Sequence, residues 1–138
     1  MIVGIGVDVV NIAKFGANVS RTPGYIEAVL TARERVDEAG EPRTVSSLAV
    51  RYAAKEALAK AVGLPPGTGF HETEVLVEPD GRPYLVTHGA LHEAAQSLGV
   101  SSWHLSLATE GDVAMAYVVA EGMSSLAGTS FVDVVERA

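Results

Sequence analysis

Apolar positions recur with several distinct spacings along this 138-residue chain, and the changes of spacing mark its elements. Residues 2–7 form an apolar, β-rich run, which predicts a strand ending at Asp8. From Asn11 to Ser20, Ile12, Phe15 and Val19 fall on one stripe at helical spacing. Pro23-Gly24 breaks that helix, and Tyr25 to Leu30 reads as a short helical piece. Thr31-Ala32-Arg33-Glu34 has the spacing of a capping box and predicts a further helix start. Beyond the loop Gly40-Glu41-Pro42, Val45 to Val62 predicts a long Ala- and Leu-rich helix, stopped by Gly63 with Pro65-Pro66 behind it. It is apolar over most of its circumference, which predicts a central, buried helix. Thr73 to Glu78 alternates as a strand, and Tyr84 to Thr87 pairs back across Asp80-Gly81-Arg82-Pro83. Leu91 to Leu98 reads as a surface helix closed by Gly99. Trp103 to Thr109 and Val113 to Glu121 form a closing pair of strands around Glu110-Gly111-Asp112.

Strands joined by hairpins in mixed order with helices predict an α+β fold, with an antiparallel sheet and a long central helix. Residues 1–122 carry these patterns as one domain. Residues 123–138 read as a C-terminal extension without a clear period, in which Phe131 to Val135 is either a short strand or a loose end.

Composition narrows the classes. The absence of cysteine excludes disulfides, zinc thiolate sites and thiol nucleophiles. It fits a cytoplasmic setting. The first residues lack the basic region of a signal peptide, and no apolar run is long enough to span a bilayer. The expectation is a cytoplasmic protein with no membrane partner. A net charge of −7 argues against nucleic-acid binding. Residues 1–63 carry a balance of +1 and residues 64–138 one of −8, so an anionic ligand is expected to meet the first half.

The central helix holds the chemical anomaly. Its apolar surface carries Arg51, Lys55, Glu56 and Lys60. At 100° per residue Glu56 and Lys60 share one stripe, and Arg51 and Lys55 share another nearly opposite. Glu56 and Lys60 are either an ordinary i,i+4 pair or groups that serve a ligand. Asp8, following Gly4 and Gly6, is either a turn aspartate or a ligand. Together Asp8 and Glu56 would supply two hard oxygens, the usual protein share of a Mg²⁺ that also binds phosphates. Lys60 could reach the same phosphates as a point charge. The histidines at 71, 88, 92 and 104 are scattered, and His88 with His92 reads as a surface pair. No Walker sequence, dinucleotide fingerprint or nucleophile elbow is present.

The ordered motifs resemble those of the holo-[acyl-carrier-protein] synthase family. Gly4-Ile5-Gly6-Val7-Asp8-Val9-Val10 resembles its opening strand, and Leu30-Thr31-Ala32-Arg33-Glu34 its Leu-Thr-x-x-Glu. Arg51-Tyr52-Ala53-Ala54-Lys55-Glu56-Ala57 followed by Lys60-Ala61 is close to its Arg-Phe-Ala-Ala-Lys-Glu-Ala signature. Gly81-Arg82-Pro83 matches its Gly-x-Pro turn, and Trp103 to Leu107 with Val113 to Glu121 resembles its closing hairpin. The resemblance implies transfer of 4′-phosphopantetheine from coenzyme A to a serine of an apo acyl carrier protein, releasing adenosine 3′,5′-bisphosphate. It implies Asp8 and Glu56 as Mg²⁺ ligands and Glu56 and Lys60 as catalytic groups. Arg51, Lys60, His104 and Ser106 are implied as coenzyme contacts, and Lys14 and Arg21 as contacts to the carrier. It further implies a homotrimer with the coenzyme bound between subunits.

The family's closing motif, His-x-Ser-x-Ser/Thr-His, runs here as His104-Leu105-Ser106-Leu107-Ala108-Thr109. Threonine cannot serve as a base near neutral pH, which makes Glu110 a candidate for that role. Gly24 stands where relatives often carry a basic residue. These departures define a second reading, a repurposed paralogue that binds coenzyme A or a carrier-bound chain without the transfer, or for a different reaction.

Overall fold

A computed structural model describes residues 1–123. Strand β1 (Ile2–Asn11) leads directly into helix α1 (Ile12–Arg21) and the short α2 (Tyr25–Val29). The long α3 (Val45–Ala61) follows, then the hairpin β2 (Thr73–Val77) and β3 (Pro83–Thr87). Helix α4 (Gly89–Ser97) precedes β4 (Val100–Glu110) and β5 (Val113–Gly122). The α+β expectation holds, with two antiparallel sheets: one of three strands in the order β1-β5-β4, and the separate β2-β3 hairpin. The segment Phe131 to Val135 lies outside the described residues. No helix among the described residues is long and apolar enough to cross a membrane.

Two expectations change. The first strand does not stop at Asp8, because its ladder with β5 runs on to Asn11 opposite Val113. Asn11 then caps α1 by accepting from the Lys14 N–H at 2.9 Å, so strand and helix meet without a loop. The helix expected at Thr31 is a single 3₁₀ turn, Arg33–Arg35. Half of the capping box forms, with Glu34 accepting the Thr31 N–H at 2.9 Å. In place of the other half, the Glu34 N–H donates to the Thr31 carbonyl at 3.1 Å, and the Thr31 hydroxyl is turned to donate to Glu74 at 2.8 Å.

α3 lies across one face of the three-stranded sheet. Its Ala53, Ala54, Ala57 and Ala61 meet Ala116, Val118 and Ala120 of β5 in one buried cluster. Small residues on both sides let helix and sheet approach closely. The closest approach is at Gly6, where an added Cβ would stand 1.8 Å from the Ala57 carbonyl oxygen.

On the opposite face of the sheet, the part formed by β1 and β5 is apolar and open. Ile5, Val7 and Val9 of β1 stand there with Val113 and Tyr117 of β5, and Val9 and Tyr117 are 59% and 49% exposed.

α3 is tied to the rest of the chain by a buried ion pair. Lys55 bonds Glu34 and the Phe70 carbonyl, and its side chain is 1% exposed against 0% for Glu34. Glu34 also accepts the Val75 N–H at 2.8 Å, so one carboxylate joins the 3₁₀ turn, α3 and β2. Burial pushes the Lys55 ammonium below its ordinary range, and Glu34 opposes that shift.

Gly6→Val is expected to cost at least about 3 kcal/mol, because the new side chain collides with α3 backbone; thermal unfolding measures it. Lys55→Met, which leaves Glu34 charged and unpaired, is expected to cost about 3–5 kcal/mol in a urea titration. Adding Glu34→Gln to it should restore part of that loss.

Candidate active site

Asp8 projects from β1 on the same face as Gly4, Gly6 and Val10, the face that α3 covers. α3 brings Tyr52, Glu56 and Lys60 up on one stripe, each a turn from the next. Lys60 Nζ donates to Asp8 Oδ1 at 3.1 Å and to the Val7 carbonyl at 3.0 Å. Its ion-pair partner is therefore Asp8 across the layers, and not Glu56 along the helix.

Glu56 is held from the loop after α3. Its Oε1 accepts the Gly67 N–H at 2.9 Å, and Gly67 has φ +81, a conformation that favours glycine. Burial pushes the Glu56 carboxyl above its usual range. The Gly67 N–H opposes that shift, Asp8 adds to it, and Lys60 opposes it again. A carboxylate raised by burial, with a second carboxylate beside it, is chemistry that a cation would relieve.

Asp8 and Glu56 open into a cavity of about 300 Å³, whose walls also hold Asn11, Lys14, Tyr25 and Tyr52. Lys14 stands in the first turn of α1, indexed to Asp8 by the Asn11 cap. Arg21, two turns further on, lies on the same stripe of α1 in an exposed position.

The other expected residues stand elsewhere. Arg51 faces away from Asp8, in a cavity of about 660 Å³ shared with Arg43 and the turn after β2. Burial, then the neighbouring Arg43, lowers the Arg51 guanidinium to about 10. It donates to Ser47 Oγ at 2.7 Å, while Nε of both arginines is buried without a hydrogen-bond partner among the described residues. Glu38, Glu78 and Asp80 line the same cavity, and Arg43 stands 3.8 Å from the Glu38 carboxylate, so its charge is partly balanced already. Arg43 escaped the sequence reading. It sits just before the Thr44 cap of α3, and no periodicity links it to Arg51.

His104 lies on the open face of the sheet, where Nε2 bonds Glu121 at 2.8 Å. It lines a third cavity, of about 590 Å³, with Arg82, Tyr84 and Trp103. Ser106 follows on the same face, opposite Tyr117. Glu110 also falls on that face, so within one chain it is not brought to Asp8 and Glu56. The reason is the two-residue period of β4, which turns Thr109 toward the α3 side and Glu110 away. His88 bonds Glu74 and His92 bonds Thr87, each at 2.8 Å. Among the described residues no group of three or more His, Cys, Asp and Glu could hold a metal. Asp8 and Glu56 are the two carboxylates that line one cavity.

The chain also matches known proteins along most of its length. The family model of the 4′-phosphopantetheinyl transferase superfamily matches residues 4–118. The holo-[acyl-carrier-protein] synthase of Salinispora arenicola is 47% identical over 121 residues, covering 88% of this chain and 99% of the relative. That of Frankia casuarinae is 50% identical over 120 residues, covering 87% and 98%. Among solved structures, the Neisseria meningitidis holo-[acyl-carrier-protein] synthase superposes with a TM-score of 0.77 at 33% identity, covering 88% of this chain and 99% of that one. A coenzyme A complex, described as the Chronobacterium ammoniagenes enzyme, gives 0.76 at 30% identity, covering 88% and 98%. With these motifs in order and these relatives matched over nearly their whole length, the chain belongs to the 4′-phosphopantetheinyl transferase superfamily, within its holo-[acyl-carrier-protein] synthase family.

Proposed function

We propose that this protein transfers 4′-phosphopantetheine from coenzyme A to a serine of an apo acyl carrier protein, releasing adenosine 3′,5′-bisphosphate. The carrying observation is the cavity in which Asp8, Glu56 and Lys14 meet, with Lys60 bonded to Asp8 at its edge. Splitting a pyrophosphate needs positioning and neutralisation of charge more than covalent help. Asp8 and Glu56 fit a hard divalent cation such as Mg²⁺, since two carboxylates leave the remaining positions for phosphate oxygens and water. When bound, the ion would supply neutralisation of the pyrophosphate charge. Lys60, fixed by Asp8 and the Val7 carbonyl, presents a cation to a phosphate beside them. Glu56, a carboxylate on the cavity wall, suits acceptance of the serine proton better than Thr109 does. Glu110 keeps a role in this scheme only toward a group on the open sheet face.

Arg51, with Arg43, suits an anionic group of the coenzyme, and His104 with Ser106 suits a second stretch of it. The three cavities are separate within one chain, so the coenzyme spans two copies in this reading. The open apolar face of β1 and β5 supports such an assembly, because a patch of this kind calls for cover. A homotrimer is the assembly proposed. Lys14 and Arg21 give α1 a positive stripe, and an acidic carrier docking there would bring its serine to the Asp8–Glu56 cavity.

The reading is tested by intact mass spectrometry of an apo carrier incubated with the protein, coenzyme A and Mg²⁺. A gain of one phosphopantetheine is expected, and chelation should abolish it. Asp8→Asn and Glu56→Gln should each lower kcat/KM by on the order of 10²-fold or more. No gain, with the Salinispora arenicola relative succeeding on the same carrier, would shift the assignment to the repurposed paralogue. Val9→Glu on the open face should convert a trimer to monomers in sedimentation and remove activity with it.

A further inference from the structure

Tyr52 is one residue of the Asp8–Glu56 cavity that the scheme above leaves without work. It precedes Glu56 by one turn on the same stripe of α3 and lines the same cavity of about 300 Å³. Its ring is fixed on two sides, with the Phe15 centroid at 5.4 Å and the Phe70 centroid at 5.7 Å. Phe15 comes from α1 and Phe70 from the loop whose Gly67 holds Glu56, so the phenol is indexed to both walls of the site. The family signature carries phenylalanine here, which can fill the same space but has no hydroxyl to offer. The difference is therefore one oxygen, delivered beside two carboxylates by a ring that cannot swing away.

A phenol ordinarily keeps its proton up to about pH 10, and the Tyr52 hydroxyl has the Tyr25 phenol as its hydrogen-bond neighbour in the same cavity. It stays protonated at any working pH. That rules it out as a base and leaves it a standing O–H donor. A donor at this place faces an anion, since the transferred phosphoryl group gathers charge on its non-bridging oxygens as it passes between nucleophile and leaving group.

We propose that Tyr52 is a catalytic residue of this enzyme, its hydroxyl donating a hydrogen bond to a non-bridging oxygen of the phosphoryl group being transferred. The inference rests on the transferase reading. The carrier serine oxygen forms a bond to the phosphorus that bears pantetheine. The bond from that phosphorus to the bridging oxygen breaks, and its electron pair leaves on adenosine 3′,5′-bisphosphate. The serine proton passes to the base. Tyr52 keeps its own proton throughout and strengthens its bond only as charge develops. A fixed donor of this kind acts on turnover more than on binding.

Tyr52→Phe preserves the ring contacts to Phe15 and Phe70, so folding is spared and the hydroxyl alone is removed. The expected result is a fall in kcat of about 10²-fold, with the KM for coenzyme A and for the carrier each within about twofold. An unchanged kcat overturns the proposal. So does a raised carrier KM at constant kcat, which would make the phenol a docking contact. A second readout does not need turnover. In protein labelled with ¹³Cζ-tyrosine, the resonance missing from Tyr52→Phe should shift when Mg²⁺ and coenzyme A are added. If calorimetry shows coenzyme binding and that resonance stays still, the assignment falls while the transferase reading stands. If wild-type protein binds no coenzyme, both fall together.

Discussion

A single buried ion pair decides where everything else can stand. Lys55 and Glu34 are removed from water together, and each is tolerable inside only because the other is present. Glu34 has no slack, since its two oxygens also take the Thr31 and Val75 N–H groups. Lys55 in turn holds the Phe70 carbonyl. The pair therefore pins four segments to one point: the 3₁₀ turn, α3, the loop after it and β2. That loop carries Gly67, whose N–H holds Glu56. Adjacent residues of one helix thus split the work. Lys55 faces inward and fixes the loop, and Glu56 faces the cavity and is fixed by it.

The second constraint is the contact of Gly6 with Ala57. A carbonyl oxygen occupies the place where a side chain would stand, so β1 and α3 cannot slide past one another. Asp8 lies two residues along β1 from Gly6, and Glu56 is next to Ala57 on α3. The distance between the two carboxylates is set by a steric contact of backbone, not by the ion they are suited to hold. Such a site is shaped before its ligand arrives, which spares reorganisation when charge is moved.

Most of the architecture was legible in the chain because its elements have strong, unmixed periods. Val45 to Val62 could be read as a buried helix from alanine and leucine alone, and the hairpins followed from their turn residues. Asp8 and Glu56 were legible as a carboxylate pair, Lys14 only through the resemblance and as a carrier contact, and one cavity joins the three. Lys60 was legible too, but not its partner, because a helical spacing proposes Glu56 and only the tertiary fold reveals Asp8. Thr31 misled for a similar reason: local spacing proposed a cap, and Glu74, 43 residues away, took the hydroxyl. Arg43 was invisible because its link to Arg51 is made in space, outside any repeat. Glu110 was within reach of simple alternation, which places it on the side of the sheet away from Asp8.

Asn11 closes β1 and caps α1 in one residue, so no hinge separates the sheet from the helix that carries Lys14 and Arg21. In mechanical terms, the face of α1 proposed to dock a carrier and the Asp8 carboxylate belong to one lever. In the docking proposed above, a carrier held on α1 would present its serine at a set depth, with no flexible segment to absorb a poor fit. Discrimination is then a matter of length and angle, and a partner whose acceptor is offset by one helical turn is refused without any group being present to repel it.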